Sequence, residues 1–198
     1  PHSVDRYKSK EENFSWFKVV STHQVGHLEF GSFSFTFDTP SGLFKDLRMK
    51  LEELRQPDAS KSAKGHLDDQ SDPRGWVTDV QRFFGLFDDR RLILDLFTVV
   101  EDGRLDTRIK SEYLGIKNAY EKVQADALAA RPNMREMPAR EVMLELLIRL
   151  SLHQLKSIPV PKENVDIAQK VARVARRVFT RSISTVEDVA EATLRIYA

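Results

Sequence analysis

Apolar residues recur at helical spacing along most of the chain. From about Glu12 to Phe30 they fall at Phe14, Phe17, Val20 and Leu28, which predicts a helix partly buried along that stripe. Leu43, Leu47, Leu51 and Leu54 predict a second helix over 43–55. Between the two, Phe33, Phe35 and Phe37 alternate with Ser and Thr. That period of two predicts a short strand or an extended arm, closed by Asp38, Thr39, Pro40, Ser41 and Gly42. Further helices are expected at about 75–87, 90–111, 116–130, 138–157, 162–180 and 185–198. Pro132 and Pro138 bracket one break, and Pro159 and Pro161 mark another. Ser184 or Thr185, followed by Glu187 and Asp188, is an N-terminal signal for the last helix. Residues 56–74, with Pro57, Gly65 and Pro73 among scattered Ser and charge, read as a mobile loop. The expected fold class is mainly α, a single helical domain over residues 1–198 with at most a small β element.

Composition narrows the chemistry. With 198 residues the chain can bury a substantial core, and 31 Lys+Arg against 30 Asp+Glu leave it neither an acidic tail nor a basic coat. The absence of cysteine excludes disulfides, thiolate zinc sites, iron–sulfur clusters and cysteine catalysis. The polar opening lacks a signal-peptide core, and the apolar runs around 92–100 and 144–152 are broken by Asp95, Glu145 and Arg149. A soluble, cytoplasmic protein is therefore expected. A chain that opens on Pro1 and closes inside a helical pattern also reads as a piece excised from a longer protein.

Five histidines remain for imidazole chemistry. Two of them, His23 and His27, lie four apart on the first predicted helix, so both rings project from one face and can reach one ion. In metallopeptidases of this spacing a Glu follows the first His and serves as general base for a zinc-bound water. Gln24 stands there in this chain, and an amide cannot take up that proton. A third ligand is available on a later helix, where Glu101 follows the apolar run and Asp102 and Asp106 could support the histidines from behind. The same acids could instead form a solvated face paired with Arg104 and Arg108. Both readings stay open on the residues alone.

The run from Trp16 through His23-Gln24-Val25-Gly26-His27-Leu28-Glu29-Phe30-Gly31-Ser32-Phe33 resembles the N-terminal part of NorD-like nitric-oxide-reductase activation proteins and of the related rubisco-activase adaptors. Val100 to Asp106 and Glu112-Tyr113-Leu114-Gly115-Ile116 resemble later segments of the same family, in the same order. The resemblance covers about residues 14–120 and more faintly the rest. It implies an N-terminal helical domain with a degenerate zincin-like two-helix core, preceding a von Willebrand factor A domain. Such proteins act as adaptors with a MoxR-type AAA+ ATPase to activate or remodel a metalloenzyme. On this basis the expected metal ligands are His23, His27 and Glu101, with Asp102 and Asp106 behind them. Zinc is the candidate ion, no other cofactor is required, and Gln24 argues against catalysis.

Three further features of the sequence bear on function. His153 follows Arg149 with three residues between them, a spacing too short for an Arg–His ribonuclease pair, and reads as structural; His2 and His66 carry no site claim. The 162–181 helix is basic opposite a Val171, Val174, Val178 stripe. Its Lys170, Arg173, Arg176 and Arg177 read as a solvated face or as a contact with an acidic partner, in preference to nucleic-acid phosphate. The clustered Phe30–Phe37 and Phe83–Phe87 are expected to form core between the histidine helix and the acidic one. The functional expectation is thus an adaptor domain with a vestigial zincin-like site. A metal-dependent hydrolase and a helical nucleic-acid-binding module are the alternatives, and no membrane role is expected.

Overall fold

The computed structural model describes residues 5–55, 78–152 and 158–198. The expected 56–74 loop, His2, His66 and His153 lie outside them. Eight α-helices are present among the described residues: α1 (Lys10–Glu29), α2 (Arg48–Arg55), α3 (Asp79–Phe84), α4 (Arg90–Glu112), α5 (Lys117–Ala129), α6 (Ala139–Ser151), α7 (Val165–Phe179) and α8 (Val186–Tyr197). No strand occurs among the described residues, and the fold is all-α. None of the helices is long and apolar enough to cross a membrane.

The organising element is α4, which packs against α1, α3, α5, α6, α7 and α8. Its residues explain this position: Asp89 caps the first turn by accepting from Leu92 N–H at 2.9 Å, and apolar side chains then point in several directions. Leu96 and Val100 join α6, α7 and α8 in the largest core cluster. Leu105 and Ile109 meet Val19 of α1 and Tyr120 of α5 in a smaller one. Gly103 makes the approach of α7 possible, since a Cβ there would overlap the Phe179 ring. Thr185 caps α8 in a reciprocal box with Asp188, which settles the choice between Ser184 and Thr185.

Two expectations about burial are corrected. On α1 the stripe Phe14, Phe17 and Leu28 faces outward, at 67%, 51% and 72% exposure, while Val19 and Gly26 are the buried residues. The inward side of this helix is small and polar because it carries the histidines. Of the phenylalanines, Phe30 packs where α1 meets α4, beside Val19, Leu105 and Ile109, and most of the others form core elsewhere. Phe35, Phe37, Phe83 and Phe87 pack with Ile93 of α4 and with Val186, Ala190 and Leu194 of α8, whereas Phe33 is 74% exposed.

The predicted 43–55 helix begins only at Arg48, and residues 34–47 form an irregular arm of turns and bends instead of a strand. Without a neighbouring strand, the arm's backbone N–H groups need other acceptors. Side chains of α8 supply several of them, and Asp79 of α3 accepts from Phe37 N–H at 3.2 Å. Glu187 accepts from Thr36 N–H at 3.2 Å, Asp188 from Leu43 N–H at 2.9 Å, and Glu191 from Leu47 and Arg48 N–H at 3.0 and 3.2 Å. Arg48, fully buried, closes the arrangement by donating to the carbonyls of Phe37, Thr39 and Glu187 and pairing with Glu191.

Candidate metal site

The last two turns of α1 lie against the middle of α4. Gly26 permits this contact, because a Cβ at that position would stand 2.8 Å from Ile109 Cδ1. Its neighbours at three residues before and one after, His23 and His27, therefore face α4. Their rings meet edge to face with centroids 5.0 Å apart. Asp102, one residue before Gly103 on α4, points its Oδ1 between them, 3.5 Å from His23 Nε2 and 3.7 Å from His27 Nε2. One donor atom from each of His23, His27 and Asp102 lies within 4.8 Å of the others. Ligands around a tetrahedral zinc at ~2.0–2.2 Å sit roughly 3.3 Å apart, so small side-chain rotations would close the set.

Behind this trio each imidazole is held by its other nitrogen. His23 Nδ1 lies 2.9 Å from Asp106 Oδ1 and 2.8 Å from the Tyr120 hydroxyl. Tyr120 donates to the same Asp106 oxygen at 2.6 Å, and Gln124 donates to the other at 2.7 Å. His27 Nδ1 lies 3.0 Å from Ser32 Oγ, and that hydroxyl donates to Glu101. With its proton committed to Glu101, Ser32 accepts from His27 Nδ1–H. Both rings are thereby turned so that Nε2 faces Asp102, the carboxylate–histidine arrangement that prepares imidazoles as ligands.

Ser32 reaches His27 because of how α1 ends. Gly31 adopts φ +76°, and Ser32 N–H returns to the His27 carbonyl at 3.0 Å, with Phe30 as the C-cap. This is a Schellman closure, for which glycine is the favoured residue. The His-Leu-Glu-Phe-Gly-Ser order thus places a hydroxyl beside the second histidine.

Glu101, expected as the third ligand, occupies a different place. It is 3% exposed and forms a two-point ion pair with Arg104, Nε to Oε2 at 2.7 Å and Nη2 to Oε1 at 2.6 Å. Arg104 in turn donates to the carbonyls of Phe30 and Ser184, tying the ends of α1 and α8 to α4. Asp102, expected behind the histidines, takes the position facing both of them. The reason is helical geometry: 101 and 102 are turned about 100° apart, and only 102 shares a face with 106 toward α1. The Glu101–Arg104 pairing expected of a solvated face is present, but buried. Arg108 instead meets Glu112 and the Ser182 carbonyl. Tyr120, Gln124 and Ser32 were not anticipated; only the Ser at the helix end carried a readable signal, through Gly31.

The electrostatics distinguish the two rings. Burial lowers the pKa of His23, but hydrogen bonds to Asp102 and Asp106 outweigh it and raise the value to about 10. For His27, burial and then the neighbouring His23 charge hold the pKa below the ordinary histidine range. In the metal-free protein His23 is thus an imidazolium between two carboxylates, while His27 is neutral. Tyr120 is pushed up by burial and by Asp106, so it remains a hydrogen-bond donor.

Beside His23 and Asp102 opens a mainly apolar pocket of about 290 Å³, walled by Val19, Val99, Val123, Ile148 and Leu152. Gln24 is exposed on α1. An all-α domain in which two histidines of one helix face a carboxylate of a second is the class these observations define. No family model, curated protein or solved structure matches the chain.

Proposed function

We propose that this domain binds a divalent metal, zinc by its donor set, at His23, His27 and Asp102, and serves as the non-catalytic interaction domain of an adaptor that works with a MoxR-type AAA+ ATPase on a metalloenzyme target. The observation that carries the metal reading is the convergence of two Nε2 atoms and one carboxylate, with both Nδ1 atoms already held by Asp106 and Ser32. Two nitrogens and an oxygen suit zinc, which would contribute a fixed positive charge joining α1 to α4. On binding, Asp106 would retain the Nδ1 proton of His23, Glu101 would act through Ser32 on His27, and the His23 Nε2 proton would be released to solvent as Asp102 turned to the ion. The adaptor reading is supported by the order of the motifs around 16–33, 100–106 and 112–116.

Non-catalysis follows from the base position. Gln24 supplies no proton acceptor, and the carboxylates of Glu101 and Asp106 are committed to Arg104 and to Tyr120 and Gln124. A hydrolase reading is favoured by one fact, that three protein ligands leave a coordination position open. A Gln24→Glu variant that gains peptidase activity on a casein probe would fit a degenerate protease frame; turnover by the unaltered chain would overturn the non-catalytic reading. The adaptor reading is tested by capturing the ATPase with protein that carries or lacks this domain. Retention only with the domain is expected, and equal retention without it would contradict the proposal.

A further inference from the structure

The outward face of α1 has no part in the metal site. At ~100° of turn per residue, Phe14, Phe17, Val25 and Leu28 all lie within about 40° of the direction of Ser21. The buried Val19 and Gly26 fall on the opposite side of the helix. Each of the four apolar side chains is more than half exposed, as is Leu114 on the turn after α4. Leu114, Tyr113 and Ile116 wall a groove of about 650 Å³ that runs along Ser21 and Val25. Between Asn13 and Leu28, histidines aside, Lys18 is the one charged residue, in a chain where charged residues make up 31%. A stretch that is apolar and depleted of charge over ~21 Å of helix has the composition of an interface core, not of a solvated face.

We propose that this face joins two copies of the chain, α1 against α1 in antiparallel orientation about a two-fold axis at Ser21. The apolar residues are placed for that symmetry: Phe14 and Leu28 stand seven residues to either side of Ser21, and Phe17 and Val25 four. An antiparallel pair centred there sets Phe14 level with Leu28 of the second copy and Phe17 level with Val25. Each match occurs twice, as an isologous interface requires. Ser21 meets its own equivalent, where a small side chain lets the helix axes approach. Charge fits the same register. Helical side chains lean toward the N-terminus of their own helix, so Lys18 lays its stem beside Val25 of the second copy and directs its ammonium toward Glu29 there. A parallel pair would instead set Lys18 against Lys18. The area suffices as well. Phe14, Phe17, Val25, Leu28 and Leu114 leave on the order of 600 Å² in water per copy, hence about 1,200 Å² for the pair, where specific interfaces begin. An interface of that size gives a reversible dimer with a Kd on the order of micromolar.

The test is sedimentation equilibrium of the whole chain from about 1 to about 200 µM, in chelator so that no ion bridges two copies. A concentration-dependent dimer is expected. Phe14→Glu and Leu28→Glu, at exposed positions, each enter the interface twice and should raise the Kd by about tenfold or more. Helicity by circular dichroism controls for folding. Because the chain has no cysteine, single cysteines report the register under mild oxidation. Ser21→Cys should form a disulfide between copies, and Phe14→Cys should do so only when mixed with Leu28→Cys. Ile167→Cys, exposed on α7, should not cross-link. A chain that stays monomeric at the highest concentration, a dimer indifferent to both charge substitutions, or Phe14→Cys cross-linking to itself as readily as Ser21→Cys would each overturn the proposal.

Discussion

Asp102 and Glu101 stand next to each other on α4 and do opposite work. Asp102 is 40% exposed at its side chain and faces the two histidines; Glu101 is buried and holds Arg104. Asp102→Ala should therefore abolish zinc binding and, by removing one of the two carboxylates beside the His23 imidazolium, lower thermal stability, though by less than the loss of Glu101 does. Glu101→Ala leaves the Arg104 guanidinium buried without its carboxylate and should cost about 3–5 kcal/mol, read by urea unfolding. Protonation of His23 supplies a second prediction at this scale. Its folded pKa lies above the unfolded value, so it stabilises the metal-free protein fully below about 6.5, and that contribution disappears as pH rises through about 10. In chelator, NMR of the imidazole carbons should show His23 still protonated at pH 8.5 and His27 neutral. A His23 midpoint near 6.5 would contradict the two-carboxylate account.

Among the elements, helix pairing depends on glycine as much as on apolar stripes. Gly103→Ala drives a methyl group into Phe179, which is 1% exposed, and should cost about 1–3 kcal/mol by thermal unfolding. The arm over 34–47 depends on α8: Glu191 accepts from the Leu47 and Arg48 backbone and also pairs with Arg48 and Arg195. Glu191→Ala should accordingly expose the arm to proteolysis before the helical core opens. The helices themselves were legible from periodicity and caps, to within a few residues for α1, α4, α5 and α8. The 43–47 segment was misread because Leu43 and Leu47 share helical spacing with Leu51, yet their backbone N–H groups are taken up by Asp188 and Glu191, some 145 residues later. No local pattern announces such a partner. The inward face of α1 was misread for a related reason: a helix that carries a polar site against its neighbour leaves its phenylalanines outside.

At the scale of the whole molecule, α4 unites three tasks. Its first half builds the core with α6, α7 and α8, its centre presents Asp102 and Asp106 to α1, and Arg104 ties the ends of α1 and α8 to it. The histidine pair and the acids of α4 were visible in the sequence as two separated motifs. Which acid faces the histidines was not, because the choice between neighbours depends on the rotation of α4 fixed by its many contacts. The central claim is tested most directly by zinc stoichiometry, measured by elemental analysis after dialysis of the wild-type chain and of the Asp102→Ala and Glu101→Gln variants. One zinc per chain is predicted for wild type and for Glu101→Gln, and none for Asp102→Ala; a wild-type chain without zinc, or an Asp102→Ala variant that keeps it, would contradict the account.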